Sequence, residues 1–180
     1  MTHDAKPAPA ETPPLEPGKF GQFLKEHGIA TTRLPDHVGG VEVIAIDGEH
    51  LQAALRLLRS SEEVKLDLLI TVSGVDMTDT FDSVSHLWSY ANLDELVIKV
   101  QIKKTDVPEG ELPAVPSIAN FWSAANWHER ETYDLVGIRY SSHPYLRRIL
   151  NPWDWDGHPL RRDYKQLVDC LNDKNPHSMR

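Results

Sequence analysis

The side chains that could do chemistry are concentrated in one segment, residues 127–164. It holds three histidines, His128, His143 and His158, spaced fifteen residues apart. That spacing matches no standard metal-binding motif, and His128-x-x-Glu131 is not the His-Glu-x-x-His pattern of zinc enzymes. Two of the three histidines precede proline, where an imidazole commonly acts as a hydrogen-bonding group of an extended chain. We therefore predict that this protein has no metal site.

Three carboxylates of the same segment, Glu129, Glu131 and Asp134, could act as general acids or bases. Arg130 and Arg139 lie close to them in the sequence. Paired charges shift pKa values without catalysing a reaction, so ion pairing is the preferred interpretation. No Ser-His-Asp or Cys-His arrangement stands out. We expect no catalytic residue on this chain.

The aromatic residues Trp153 and Trp155 could stack on a quinone or a nucleotide. Packing against a partner protein is preferred, because such rings bury a large apolar area. The pair Gly39-Gly40 lacks the spacing of a dinucleotide-binding loop and indicates a turn. The single cysteine, Cys170, cannot form an internal disulfide or by itself hold a zinc ion or an iron–sulfur cluster. We therefore expect no cofactor on this chain and a reducing compartment.

The charge pattern indicates a protein contact surface. Residues 137–165 hold six basic and three acidic residues, whereas the whole chain has a formal net charge of -8. Arginine, tyrosine and tryptophan dominate interface hot spots, and arginine binds carboxylates at two points. The overall acidity argues against nucleic-acid binding, which needs a basic surface.

Two similar sequences, HPYLRR at 143–148 and HPLRR at 158–162, indicate a stiff, non-helical ribbon. Each proline has a fixed φ and favours an extended conformation of the histidine before it. A ribbon of this kind cannot build its own core, so it must lie on a surface. The residue types leave two alternatives open, a partner protein or the chain's own domain.

The elements that position these residues predict an α+β fold, with a mainly antiparallel sheet, flanking helices and an extended C-terminal tail. Alternating apolar residues predict strands. The predicted strands cover 41–46, 66–74, 83–91 and 94–104, and Asn92-Leu93 joins the last two as a hairpin. Residues 105–116 have the composition of a loop.

Apolar residues at helical spacing predict four helices. The first holds Phe20 and Phe23 and ends at Gly28, and the second buries Leu51, Ala54, Leu55 and Leu58 behind a cap at Asp47. The third follows a cap at Ser117 and buries Ile118, Phe121, Trp122 and Ala125. The fourth spans Trp127 to Val136, with Asn126 as its cap and Gly137 as its stop.

The resulting organisation is a disordered arm (1–18), an α+β domain (19–137) and an extended partner-binding tail (138–180). Proline, alanine and glutamate dominate the arm. No segment has the roughly 20 apolar residues that cross a bilayer. The N-terminal sequence also lacks the apolar core of a secretory signal. Any membrane contact is therefore expected to be made through partner subunits.

Specific motifs of the same segment resemble those of a known family. They are Glu129-Arg130-Glu131, Asp134-Leu135, His143, Arg147-Arg148-Ile149-Leu150, Pro152, Asp154-Trp155, Gly157 and Pro159-Leu160-Arg161-Arg162-Asp163-Tyr164. In order and spacing they resemble the signature of the C subunit of NADH:quinone oxidoreductase, a peripheral-arm component of respiratory complex I. Pro116-Ser117, Trp122, Ala125 and Trp127 fit the same family.

The resemblance implies a non-catalytic structural subunit of a proton-translocating NADH:quinone oxidoreductase, peripheral on the cytoplasmic side of the cell inner membrane. It would dock on the D subunit near the quinone site, with the B and I subunits as further partners. Flavin and iron–sulfur clusters would lie on other subunits, and the complex rather than this chain would bind NADH and quinone. The interface residues implied are Glu129, Arg130, Glu131, Asp134, His143, Arg147, Arg148, Trp153, Trp155, His158, Arg161, Arg162, Asp163 and Tyr164.

Two alternatives remain at this point. An equivalent subunit occurs in membrane-bound hydrogenases and coenzyme F420 dehydrogenases, which differ in the electron donor. The chain could also be a free-standing enzyme, although it has no cofactor motif to support that hypothesis.

Overall fold

A five-stranded, mainly antiparallel sheet forms the centre of the fold. The computed structural model describes residues 15–35 and 40–165. The strand order is β1-β2-β5-β4-β3, and only β2 and β5 are parallel. The strands are β1 (Thr32–Leu34), β2 (Glu42–Ala45), β3 (Leu68–Asp76), β4 (Thr80–Ser89) and β5 (Asp94–Lys103). The predicted α+β class, with its mainly antiparallel sheet, is confirmed, although β1 was not predicted.

Three helices, α1 (Lys19–Glu26), α2 (Gly48–Ser60) and α3 (Ala125–Val136), flank the sheet. The predicted stripe of α2 is buried in the main core. Asp47 occupies the N-cap position of α2, but its side chain makes no capping hydrogen bond. Helix α1 is capped by a side chain from the sheet. The N–H groups of Phe20 and Gly21, in its first turn, both donate to the Glu42 carboxylate of β2 at 2.9 Å.

The predicted helix over 117–125 is wrong, since this segment forms turns. The Ser117 hydroxyl donates to Glu129 at 2.6 Å, and the Ile118 N–H donates to the same carboxylate at 2.7 Å. These bonds to a distant side chain replace the helical pattern. The last helix, α3, begins at Ala125 with Ala124 in the N-cap position, so the assignment of Asn126 as the cap is also wrong.

A second, two-stranded sheet was not predicted. It pairs β6 (Ala114–Pro116) with β7 (Arg139–Ser141) in parallel. Strand β6 ends the segment predicted as a loop, and β7 begins the segment predicted as a tail. Both strands are three residues long, too short for an alternating pattern to stand out from a loop. The pairing ties the start of the tail to the domain.

From β7 to Lys165 the tail folds back onto its own domain. The Leu160 N–H donates to the Leu135 carbonyl at 2.8 Å, and the Arg162 N–H donates to Asp76 at the end of β3. Of the two surfaces left open by the sequence, the described part of the ribbon lies on the chain's own domain. The remainder of the predicted tail, 166–180, lies outside the described residues.

Most of the predicted N-terminal arm, 1–14, also lies outside the described residues, as does Gly39 of the predicted glycine turn. The four arm residues that are described belong to the domain. Leu15 forms a β-bridge with Arg33, and Gly18 occupies the N-cap position of α1.

The end of α3 is a tight turn packed against a histidine. Gly137 has a left-handed φ of 76° and donates to the carbonyls of Thr132 and Tyr133. A Cβ atom on Gly137 would lie 2.4 Å from Cδ2 of His158. The predicted stop of this helix therefore requires glycine for two reasons, its backbone conformation and the close approach of the imidazole.

We predict that Gly137→Ala destabilises the protein more than Gly28→Ala, measured as the free energy of unfolding in urea. Gly28 has a nearly identical φ of 77°, but nothing lies within 4 Å of a Cβ placed there. Gly28→Ala is expected to cost only the left-handed strain, about 1–2 kcal/mol. Gly137→Ala adds the clash with His158, about 1–3 kcal/mol more. Equal losses in the two variants would show that His158 does not pack against this turn in solution.

Candidate docking site and the buried carboxylates beneath it

The Asp134 carboxylate is the point at which the tail is attached to α3. Its side chain is fully buried, and Oδ2 accepts the N–H groups of three consecutive residues, Ile149, Leu150 and Asn151, at 2.8–2.9 Å. Oδ1 accepts the Asn151 side-chain amide at 2.9 Å. One carboxylate thus receives both the backbone and a side chain of a segment fifteen or more residues further along the chain.

Arg148 connects Asp134 to the next turn of the tail. Its Nη1 lies 2.7 Å from Asp134 Oδ1 and also donates to the Asp134 carbonyl. Its Nη2 donates to the carbonyls of Trp155 and Gly157 at 3.0 and 2.9 Å. The planar guanidinium therefore bonds two segments at once, which a lysine ammonium could not do in the same geometry.

These donors determine the protonation state of Asp134. Burial by itself raises the pKa of a carboxyl, but the backbone and side-chain hydrogen bonds from Asn151, Arg148 and Ile149 outweigh it and hold the pKa of Asp134 below its ordinary value. The structure also corrects the predicted ion pairing. Asp134 pairs with Arg148 rather than with Arg130 or Arg139.

Glu129 forms a second buried carboxylate site, with weaker donors. Its side chain is fully buried and accepts the Ser117 hydroxyl and the Ile118 N–H, and His143 Nε2 lies 3.8 Å away. The burial raises the pKa of Glu129 to about 7, because these two neutral hydrogen bonds only partly offset desolvation. Glu129 makes no ion pair with an arginine among the described residues, contrary to the prediction.

The histidines of the two His-Pro steps are hydrogen-bonding groups, and they hold the ribbon in place. The Tyr145 N–H donates to His143 Nδ1 at 2.9 Å, which leaves Nε2 to donate to the Asn126 carbonyl. His158 Nδ1 lies 3.0 Å from the Asp134 carbonyl. Burial lowers the pKa of both imidazoles, so both are neutral near pH 7.

Above the buried carboxylates, aromatic and guanidinium groups stack at the surface. The Arg130 guanidinium lies 5.2 Å from the Trp127 ring centroid and 5.7 Å from that of Tyr145, and the Arg147 guanidinium lies 4.4 Å from Tyr145. Arg130 also donates to the carbonyls of Arg147 and Arg148. Trp127 and Tyr145 are 62% and 51% exposed, so the stack presents large apolar and cationic groups to solvent. The residues Trp127, Arg130, Tyr145 and Arg147 are called the surface stack below.

The other predicted interface residues differ in their exposure. Arg161 is half-buried and donates to the carbonyls of Val136 and Gly137 at the end of α3. Tyr164 is half-buried against Gly157. Trp155 is half-buried as well, whereas Trp153 is 81% exposed. Glu131, Arg162 and Asp163 are exposed, while Glu129, Asp134 and His158 are buried and stabilise the fold.

Sequence reasoning missed two residues of the surface stack, Trp127 and Tyr145, and the Asn151 bonds to Asp134. The spacing of Trp127 and Arg130 at i and i+3 on a predicted helix was a usable signal, since such residues are neighbours on one face. Nothing local in the sequence indicates that Asn151 bonds Asp134.

Within residues 15–35 and 40–165, no three His, Cys, Asp or Glu side chains converge as a metal site would require. None of the helices in these two ranges has the length and apolar character to span a bilayer. The buried carboxylates bond to the chain itself, and the surface stack is the outward-facing feature that they support.

The family model and the similar proteins identify the same family. Residues 44–168 match the family described as "Respiratory-chain NADH dehydrogenase, 30 Kd subunit". The chain is 35% identical over 181 residues to the C subunit of the NADH-quinone oxidoreductase of Chloroherpeton thalassium, covering 90% of this chain and 70% of that protein. It is 41% identical over 118 residues to the protein of the same name from Roseiflexus castenholzii, covering 64% of each. The chain thus spans about two thirds of the length of these relatives.

A solved structure shares the fold. One chain of the membrane-bound sulfane sulfur reductase, described as an archaeal respiratory membrane complex, superposes with a TM-score of 0.63. The match covers 85% of this chain and 87% of the other, at 17% sequence identity. At that identity the likeness concerns the fold alone.

We predict that Asp134→Asn lowers the free energy of unfolding by about 3–5 kcal/mol, the usual cost of breaking a buried ion pair. The side-chain amide introduced at position 134 lacks the negative charge that pairs with Arg148. Its NH2 group also places a donor where the backbone N–H groups of the tail already point. Glu131→Gln is the matched control, because Glu131 is exposed on the same helix, and it should change stability by less than about 0.5 kcal/mol. Urea denaturation followed by tryptophan fluorescence measures both. Similar small changes in the two variants would contradict the role given to Asp134.

A second prediction concerns pH. Between about pH 4.5 and 7 the folded protein holds a proton on Glu129, whereas the unfolded chain has lost it. Unfolding therefore releases a proton, and the contribution of Glu129 to the free energy of unfolding falls as the pH rises through this window. The slope is at most about 1.4 kcal/mol per pH unit.

The comparison of wild type with Glu129→Gln isolates this contribution, because both proteins keep His143 and His158. The difference in unfolding free energy, wild type minus variant, should decrease from about pH 4.5 to 7. A difference that stays constant across that range would mean that Glu129 titrates normally in the folded protein.

Proposed function

Because the chain belongs to the family of the 30 kDa subunit of respiratory-chain NADH dehydrogenase, we propose that it is a structural subunit of a proton-translocating NADH:quinone oxidoreductase. In this proposal it is a non-catalytic part of the peripheral arm and docks on the D subunit near the quinone site. The B and I subunits are its further neighbours. The assembly places it at the cytoplasmic side of the cell inner membrane, with membrane contact made only through other subunits.

The surface stack is the observation that carries the docking proposal. Trp127, Arg130, Tyr145 and Arg147 combine exposed aromatic area with guanidinium groups, the residue types that contribute most to binding energy at interfaces. Arg130 is bonded to the backbone carbonyls of the tail, so the stack is already ordered before a partner binds. A pre-ordered surface loses less conformational entropy on association. An acidic surface on the D subunit would complement it.

The proposed division of labour places the redox chemistry on other subunits. Flavin, iron–sulfur clusters, NADH and quinone would be bound by the rest of the complex. The internal bonding of Glu129 and Asp134 supports this view, because the carboxylates best placed to be acids or bases are already used to stabilise the fold. Their shifted pKa values follow from burial and internal hydrogen bonds.

One alternative is compatible with the fold, because the same fold occurs in a respiratory membrane complex of a different name. In that alternative this chain is the equivalent subunit of a membrane-bound hydrogenase or an F420 dehydrogenase. Affinity purification of the tagged protein from mildly solubilised host membranes, with mass spectrometry, distinguishes the two. Co-purifying flavin and NADH-binding subunits support the proposal, and hydrogenase or F420-binding subunits support the alternative. Recovery of the chain alone would overturn both.

We predict that Arg147→Ala weakens incorporation into the complex while leaving the isolated chain folded. Arg147 is exposed, and it stacks on Tyr145. Loss of a hot-spot arginine costs about 2 kcal/mol or more, roughly a thirtyfold drop in affinity. Arg56→Ala, at an exposed arginine of α2, is the matched control. Quantitative mass spectrometry of the purified complex gives the incorporated fraction, and equal incorporation of both variants would remove the surface stack from the interface.

Arg161→Ala is not an equivalent test. Its guanidinium bonds the carbonyls at the end of α3, so its loss is expected to destabilise the chain itself.

A further inference from the structure

Strand β3 leaves one edge of the sheet open. It is the last strand in the order β1-β2-β5-β4-β3, so its outer edge pairs with no strand in the part of the chain that the structure describes. The strand is nine residues long, and its sequence LLITVSGVD contains neither proline nor lysine, the residues that commonly protect edges. A bulge lies at Ile70, between Leu69 and Thr71. The regular open edge is therefore the segment after the bulge, Thr71–Val75.

A groove runs along this edge. Its volume is about 310 Å³, and one wall is formed by the consecutive residues 71–74. The opposite wall is α3, through His128, Glu131 and Leu135, and the tail adds Leu160. Helix α3 approaches the strand closely at Gly74, where a Cβ would lie 2.3 Å from Thr132 Cγ2. An edge strand and a helix on either side of a groove form the geometry in which several peptide-binding domains add an extended segment as a further strand.

The side chains around the groove define what such a segment would carry. Leu160 lines the groove and is 61% exposed, and Leu135 lines it from the helix, so the groove offers apolar contacts to a second chain. Glu131 is an exposed carboxylate on the helical wall, and no ion pair to it occurs among the described residues. The complementary segment has apolar side chains at alternate positions and a lysine or arginine that reaches Glu131.

We propose that the β3–α3 groove is a second docking site, separate from the surface stack, which takes an extended segment of a neighbouring subunit as a sixth strand. This inference rests on the proposed function, because the occupant is a subunit of the same complex. Main-chain hydrogen bonds from Thr71–Val75 supply the affinity. Contacts with Leu160 and Glu131 determine which peptide sequences bind.

Hydrogen–deuterium exchange with single-amide resolution tests the proposal on the full chain, alone and in the purified complex. Alternate amides of a strand point to opposite edges, so strand addition should slow exchange at every second amide between residues 71 and 75, by at least about tenfold. Glu131→Lys should reduce this protection at least about tenfold by repelling the basic residue. Glu109→Lys, at an exposed loop residue, is the matched control and should leave it unchanged.

Four outcomes would overturn the inference. Uniform slowing of all five amides would mean that a partner covers the strand without pairing. Protection already present in the dilute free chain would assign the edge to residues of this chain, and protection that grows with concentration would assign it to a second copy. Unchanged exchange in an intact complex would show that the edge stays open, while the proposed function survives. Failure of the wild-type chain to assemble would instead overturn the proposed function.

Discussion

The carboxylate of Asp134 is the constraint on which the rest of the candidate site depends. It accepts three consecutive backbone amides and a guanidinium inside the protein, and so fixes the tail against α3. The carbonyls that Arg130 contacts belong to the residues just before those amides, which means that the surface stack is ordered by the same attachment. A tail of prolines, tryptophans and arginines has no helical or sheet pattern to order it. One well-satisfied buried charge provides that order instead.

Asp134 and Glu129 show how hydrogen-bond donors and depth of burial together decide the state of a carboxyl group. Both side chains are fully buried on the same helix, yet their pKa values move in opposite directions. Asp134 is surrounded by amides and a cation, which stabilise the charged form more than desolvation destabilises it. Glu129 receives one hydroxyl and one amide, and desolvation prevails. Such opposite shifts are common at active sites, but here every donor belongs to the chain's own framework.

The sequence predicted the features whose causes are local. The alternating residues of β5, the buried stripe of α2 and the glycine stop of α3 all follow from nearby residues, and all are present. The wrong predictions concern residues whose hydrogen-bond partner lies far away in the sequence. Ser117 had the type and position of a helix cap, but Glu129 captures its hydroxyl. Likewise, Arg148 replaced the sequence-near arginines as the partner of Asp134, because the fold of the tail brings it there.

Helix α3 contributes to the core, to the groove beside β3 and to the surface stack. At roughly 3.6 residues per turn, its residues form three stripes that face these three surroundings. The core stripe is buried and consists of Ala125, Glu129, Thr132 and Val136. A second stripe faces the groove beside β3 and consists of His128, Glu131 and Leu135. The third stripe joins the surface stack to the tail anchor and consists of Trp127, Arg130 and Asp134. An ordinary surface helix has one apolar stripe and a solvated remainder. In helix α3 the two outer stripes also hold aromatic, apolar or hydrogen-bonded residues, as both proposed docking sites require.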